Sequence, residues 1–405
     1  MSSSSGSSQR RLLFAALAMD TSFFAALATL PFFVKRAGVL WFGDAMLGVL
    51  LASLGLSYVV GALFLPRFQA RFDPVRSTRF FGALSGALFV VGSWMTDPVL
   101  VFVTLALGRA ALGGFWPTLM AMVGSGDRDA LGARIARFNT WWGTGKAIAF
   151  LVCGSLLTAT GDPALALRVA GALMALCVVL VVDPGETSAS TGSGAEEAAP
   201  VGTERGRPEQ PSTGAREFTS ALLAVLLGAT IGAIWESQFP KGLGAARYLE
   251  LFGEHYELGV NALLFCLYGG QAACFFALRA WRSWPTSRAL VRGATLLLCV
   301  GQVLAVFVAS VPICALGLCM SGVALGCFFS KCLWLAQHGR RDAARRSGIH
   351  ESALSLGSVV GPPLGGLLAV VTASLHAPFV LAALLAAGAA AQALLRARRT
   401  PDGGH

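Results

Sequence analysis

Stretches of about twenty apolar residues recur along this 405-residue chain, separated by short segments that hold most of its charge. A helix needs about 20 such residues to cross the hydrocarbon core of a bilayer. The runs fall at about 12–34, 45–65, 80–95, 99–123, 138–160 and 164–182, then at 218–239, 258–278, 289–309, 311–336, 349–372 and 378–395. Only 13% of the residues are charged and 55% are hydrophobic. A water-soluble domain uses roughly a quarter charged residues, so lipid is the expected solvent. The expected fold is an all-α membrane protein with twelve spans in two six-helix halves. The first apolar run passes the cleavage-like Ala16-Leu17-Ala18 and continues to Val34, so it reads as a span that stays and not as a signal peptide.

Residues 1–11 read as a disordered tail and 12–182 as the first bundle. The stretch 183–217, rich in Ser, Thr, Gly, Pro and Glu, reads as a disordered linker. Residues 218–396 form the second expected bundle and 397–405 a short tail.

The net charge of +10 does not indicate nucleic-acid binding, because the basic residues are confined to the segments between spans. Alternating crossings place 23 Lys and Arg on the side of the two termini and 5 on the other. Basic residues favour the cytoplasmic side, so both termini and the linker are expected in the cytoplasm of a multi-pass cell (inner) membrane protein. All nine cysteines lie within apolar runs and none forms a CxxC pair, so they read as small buried hydrophobes and no metal or cofactor is expected.

The halves resemble each other at an offset of about 212. Ala111-Leu112-Gly113-x-Phe115 recurs as Ala324-Leu325-Gly326-x-Phe328, and Gly126-x-x-Asp129-Ala130 as Gly339-x-x-Asp342-Ala343. Gly145 and Gly154 fall on Gly357 and Gly366 after a one-residue slip. A parallel repeat of six is the organisation of transporters whose halves rock around a midplane site.

Leu105-x-x-x-Arg109-x-x-x-Gly113 and Gly357-x-x-x-Gly361-Pro362-x-x-Gly365-Gly366 resemble patterns of the major facilitator superfamily. The glycine–proline pattern stands on the eleventh span here, with a degraded copy, Gly145 to Gly154, on the fifth. The loop after the second span has Leu65 and Phe68 where that family has an acidic residue and a glycine. The resemblance implies alternating-access transport of a small organic solute, and a link of Arg109 to proton coupling. Gly113, Gly145, Gly357, Gly361, Pro362 and Gly365 are candidate packing or hinge positions, because glycine admits close helix approach and proline removes a backbone donor.

A charge at the bilayer centre costs roughly 2.5–3.5 kcal/mol even on the lenient insertion scale. Asp20, Arg109, Lys146, Glu236, Lys331 and Glu351 stand in spans and are therefore the candidates for substrate binding or proton coupling. Asp20 and Arg109 are expected near mid-span as a relay, a substrate clamp or a structural ion pair. Lys146 is either a cavity cation or a partner of Glu351. Lys331 is close enough to a helix end to snorkel. Glu236 and Glu351 are expected near opposite membrane surfaces. Asn139, Trp142 and His350 are further cavity candidates, although interfacial anchoring is the first expectation for Trp142.

Thr140 and Ala147 break the phosphate-loop pattern around Lys146, and Leu354 stands where a zinc protease after His350-Glu351 needs histidine. No nucleophile–base pair is apparent, so enzyme activity is not expected. Three cations against two or three acids point to an anionic or zwitterionic substrate, with a proton as possible co-substrate. The alternative is a non-transporting sensor or assembly partner of the same fold. The charge asymmetry predicts that a cytoplasm-active reporter fused at either terminus or in the linker is active, and one fused after Lys35 is silent.

Overall fold

Three Asp-Pro pairs show how the chain starts its helices. Asp73, Asp97 and Asp162 accept backbone N–H bonds from Arg76 at 2.6 Å, Leu100 at 2.9 Å and Ala164 at 2.9 Å. Each thereby satisfies a donor that the first turn leaves free, while the following proline supplies a helical φ and has no N–H to lose. The computed structural model describes residues 3–36, 44–69, 71–124, 130–182, 211–240, 250–251, 253, 256–287, 289–308, 310–338 and 343–399.

Twelve α-helices are described: α1 Ser3–Arg36, α2 Asp44–Gln69, α3 Pro74–Gly92, α4 Pro98–Gly124, α5 Leu131–Thr160, α6 Pro163–Cys177, α7 Pro211–Gln238, α8 Tyr256–Ala280, α9 Ala289–Ala305, α10 Val311–Gln337, α11 Ala343–Thr372 and α12 Ala377–Arg399. There is no strand among the described residues. Ten of the helices are long and apolar enough to cross a membrane. The other two are α3, whose first turns carry Arg76 and Arg79, and α9, which has 17 residues. Large apolar side chains cover the outside, as with Val370 and Val371 at 76% and 73% exposure. The protein is an integral multi-pass membrane protein.

Helix is found beyond the apolar runs. α1 begins at Ser3, α7 at Pro211 and α12 ends at Arg399, so parts of the segments read as tails and linker are helical. Once a helix is nucleated, each added residue gains a bond at little cost, and Pro211 is a favourable first residue. The remainder of the linker, 183–210, and Arg128, Arg205, Arg207, Arg288, Arg340 and Arg341 lie outside the described residues.

The repeat is visible in the backbone. α4 and α10 both have 27 residues at an offset of 213, and α5 and α11 both have 30 at an offset of 212. Within the first half α1 packs on α5 and α6, and α3 and α4 pack on each other, with α2 on α4 and α6 on α3. Adding six to every label gives the packing of the second half. Between halves, the main contacts are α2 with α11 and α5 with α8.

Glycines set how closely these helices approach. A Cβ on Gly113 would stand 2.7 Å from the Gly61 carbonyl carbon, and one on its repeat partner Gly326 would stand 2.8 Å from the Cys274 Cβ. A Cβ on Gly145 would stand 2.5 Å from the Leu17 carbonyl oxygen, and Gly357 and Gly361 lie against Ala229 and Thr230 of α7. Gly365 meets Gln238, whose Nε2 donates to the Pro362 carbonyl at 3.1 Å. Gly113→Leu therefore lowers stability, by at least the roughly 1–3 kcal/mol of an overpacked core. Gly388→Ala, where a Cβ meets nothing within 4 Å, leaves stability unchanged or slightly raised. Thermal unfolding of the detergent-purified variants checks both.

Candidate functional site

Two cations of the first half project toward the second, and each is held by a pair of aromatic rings. The Arg109 guanidinium on α4 lies 4.2 Å from the Phe23 ring centre and 4.1 Å from that of Tyr58. The Lys146 ammonium on α5 lies 4.0 Å from the Phe24 ring and 3.8 Å from the Tyr268 ring. A cation over a ring face is stabilised by about 2 kcal/mol or more when desolvated. Adjacent Phe23 and Phe24 point along different faces of α1 and so serve one cation each.

The tyrosines carry the link onward to carboxylates of the second half. Tyr58 donates its O–H to Glu351 Oε2 at 2.6 Å, and Tyr268 donates to Glu236 Oε1. Lys146 is also 3.9 Å from Glu236 Oε1, and Arg109 Nη2 donates to Ser355 Oγ at 3.5 Å. Arg109, Lys146, Glu236, Glu351, Tyr58, Tyr268, Gln271 and Ser355 line one narrow cavity of about 70 Å³ at the junction of the halves. A second void of about 60 Å³ shares Arg109 and Glu236 and extends past Pro31, Phe32 and Pro240, toward the end away from the termini. On the termini side the halves are closed. Trp142 stacks on Phe329 at 4.6 Å, Asn139 donates to Ser330 at 3.1 Å, and Gln337 donates to the Met120 carbonyl at 3.3 Å.

Several expectations need correction. Glu236 and Glu351 do not lie near opposite surfaces; both line the wall of this one cavity, from α7 and α11, which run parallel with Gly357 against Ala229 and Gly365 against Gln238. The ion-pair partner of Lys146 is Glu236, not Glu351. Asp20 is 1% exposed and sits behind the cavity wall, within hydrogen-bonding reach of Trp142, with Oδ2 unpaired among the described residues. Trp142 is buried and not an interfacial anchor, since the second half covers it.

Asn139 ties the halves together on the closed side and does not line the cavity. His350 is buried edge-on to Phe329, 3.9 Å from Glu351 Oε1, with both ring nitrogens unpaired among the described residues. Lys331 is apart from this cluster, in a pocket at the termini side of the second half. Tyr58, Tyr268, Gln271 and Ser355 escaped sequence reasoning. One signal was available for the tyrosines: the chain has only four, and two of them stand inside apolar runs.

Tyr58→Phe keeps the ring against Arg109 and removes the O–H. The variant should lose about 1.5–3 kcal/mol of stability, the range for a hydrogen bond to a charged group. In a Glu351→Leu background the same change should cost much less. Thermal unfolding of the four proteins of this cycle measures the coupling; an undiminished cost would mean that the bond to Glu351 is not what Tyr58 contributes.

No family model matches the chain, and no curated protein matches it in sequence. Solved structures of transporters do match its fold. A structure described as the human organic anion transporter MFSD10 (TETRAN) matches with a TM-score of 0.65 at 16% identity, covering 95% of this chain and 99% of that one. The major facilitator superfamily transporter FucP, in an outward conformation, gives 0.60 at 15% identity over 95% and 98%. The nucleoside transporter NupG, in the form of a point mutant, gives 0.59 at 14% identity over 96% and 99%. The chain therefore has the fold of major facilitator superfamily transporters.

Proposed function

We propose that this chain, built on the fold of major facilitator superfamily transporters, is a secondary transporter that moves a compact organic anion or zwitterion by alternating access. One observation carries the reading: Arg109 and Lys146 of the first half face Glu236 and Glu351 of the second across a cavity at the junction of the halves. A substrate carboxylate or phosphate entering that space can replace a glutamate as partner of a cation. The freed glutamate then needs a proton or a substrate ammonium group, since an uncompensated buried charge is costly. Solute and proton binding are thereby coupled through Glu236 and Glu351, with Asp20 behind them as a third acid. The human protein of similar fold is described as an organic anion transporter, which agrees with the sign of the cavity cations.

Alternation requires the closed layer of Trp142, Phe329, Asn139 and Ser330 to part while the upper void collapses. Gly357, Gly361 and Pro362, where α11 bears on α7, are the proposed hinge, and Gly145 is its counterpart where α5 bears on α1. Both termini face the cytoplasm in this reading.

A thermal-shift screen of metabolites on the purified protein, followed by uptake into proteoliposomes, tests the proposal. Arg109→Ala and Lys146→Ala should insert normally and transport on the order of 100-fold less, as expected when one member of a buried charge pair is truncated. Glu236→Gln should retain exchange and lose accumulation driven by a pH gradient. Normal uptake by a well-folded Arg109→Ala protein would remove the central cation from the mechanism.

A further inference from the structure

Lys331 belongs to no part of the central site, yet its side chain is more than nine-tenths buried. It stands on α10 in the wall of a pocket of about 410 Å³ at the termini side of the second half. α7 contributes Glu217 and Ser220 to this pocket, the turn between α8 and α9 contributes Thr286 and Ser287, and α9 contributes Arg292. The Lys331 ammonium donates to the Pro285 carbonyl and lies 5.3 Å from the Trp334 ring. An ammonium has three N–H donors, and the protein offers this one a single hydrogen-bond acceptor among the described residues. Glu217 is the acidic residue that lines the pocket, and it is exposed at the rim; Arg292 is exposed there too and restores a net positive charge.

We infer that this pocket is a second anion site, distinct from the central cavity, that takes a phosphate group. The ammonium of Lys331 is the inner ligand and the Arg292 guanidinium the outer one. The hydroxyl of Ser287 is a donor that a phosphate oxygen accepts, while that of Thr286 is spent on the Ser283 carbonyl at 3.1 Å, and the Trp334 face is an apolar wall for whatever the phosphate is attached to. A buried cation with free donors gains more from an anion than an exposed one does, because little water is available to solvate it. The phosphate can belong to a soluble monoester or to a phospholipid headgroup, since the pocket opens where the helices meet the membrane surface.

The full-length protein in nanodiscs separates these sources. In phosphatidylcholine discs, inorganic phosphate should raise the unfolding temperature saturably, and this response should vanish in Lys331→Met and survive in Lys331→Arg. In phosphate-free discs containing phosphatidylglycerol, a stabilisation over phosphatidylcholine that depends on Lys331 in the same way would assign the site to a lipid headgroup. Arg292→Ala and Ser287→Ala are changes outside the core that should weaken either response severalfold, and they decide the matter if Lys331→Met fails to fold. Arg109→Ala should leave both responses intact, which keeps this inference separate from the transport reading. Equal responses in wild type, Lys331→Met and Arg292→Ala, or no response in either arm, would overturn it.

Discussion

A positive charge in an apolar medium is the constraint on which the interior of this protein is arranged. Arg109 and Lys146 cannot be left bare at mid-membrane, and water does not reach them freely. Aromatic faces on α1, α2 and α8 take up part of the cost, and carboxylates on α7 and α11 take up the rest. Tyr58 and Tyr268 do both, offering a ring to a cation and a hydroxyl to a carboxylate. Because the cations belong to one half and the glutamates to the other, satisfying the charges and docking the halves are the same event. Such pairs add little net stability over apolar packing, yet breaking one is expensive, so they specify an arrangement more than they strengthen it.

The glycine contacts have a complementary role. Gly113 and Gly326 bring α4 and α10 against α2 and α8 within each half, nearly backbone to backbone. Close contact of this kind leaves few side-chain rotamers to adjust, so the packing inside a half is stiff. Across the interface the polar contacts run through longer side chains, such as Gln337 to the Met120 carbonyl and Asn139 to Ser330, which can exchange partners.

Most of the architecture is legible in the sequence because the hydrophobic signal is summed over twenty residues at a time. The helix count and the two halves rest on such sums, and the repeat on short matches aligned at one offset. The short α3 and α9 are legible for the same reason, although Arg76, Arg79 and Arg292 lie within their ends. The charged site residues are legible individually, since a charge inside an apolar run is rare. Their grouping is not. Whether Glu236 and Glu351 meet depends on the rotation and tilt of α7 and α11, which hydropathy does not encode. The surroundings of Trp142 are equally hidden, because position along a span does not say whether lipid or protein covers a face. The burial of Asp20 follows from its place in an apolar run, but its position behind the cavity wall follows from the bulk of neighbouring rings.

The repeat relates the backbones of the two halves but not their charges. At the offsets of the paired helices, the position of Arg109 is occupied by Gly322, that of Lys146 by Ser358, and that of Glu351 by Asn139. A cavity with matching walls would admit an elongated guest head-first or tail-first with equal ease. Here one wall is cationic and the facing wall is acidic, so a molecule with distinct ends has a single way round. The divergence of two similar helical bundles has turned a two-fold axis into a directional one, so that under the proposed transport reading the cavity would distinguish the two ends of its solute.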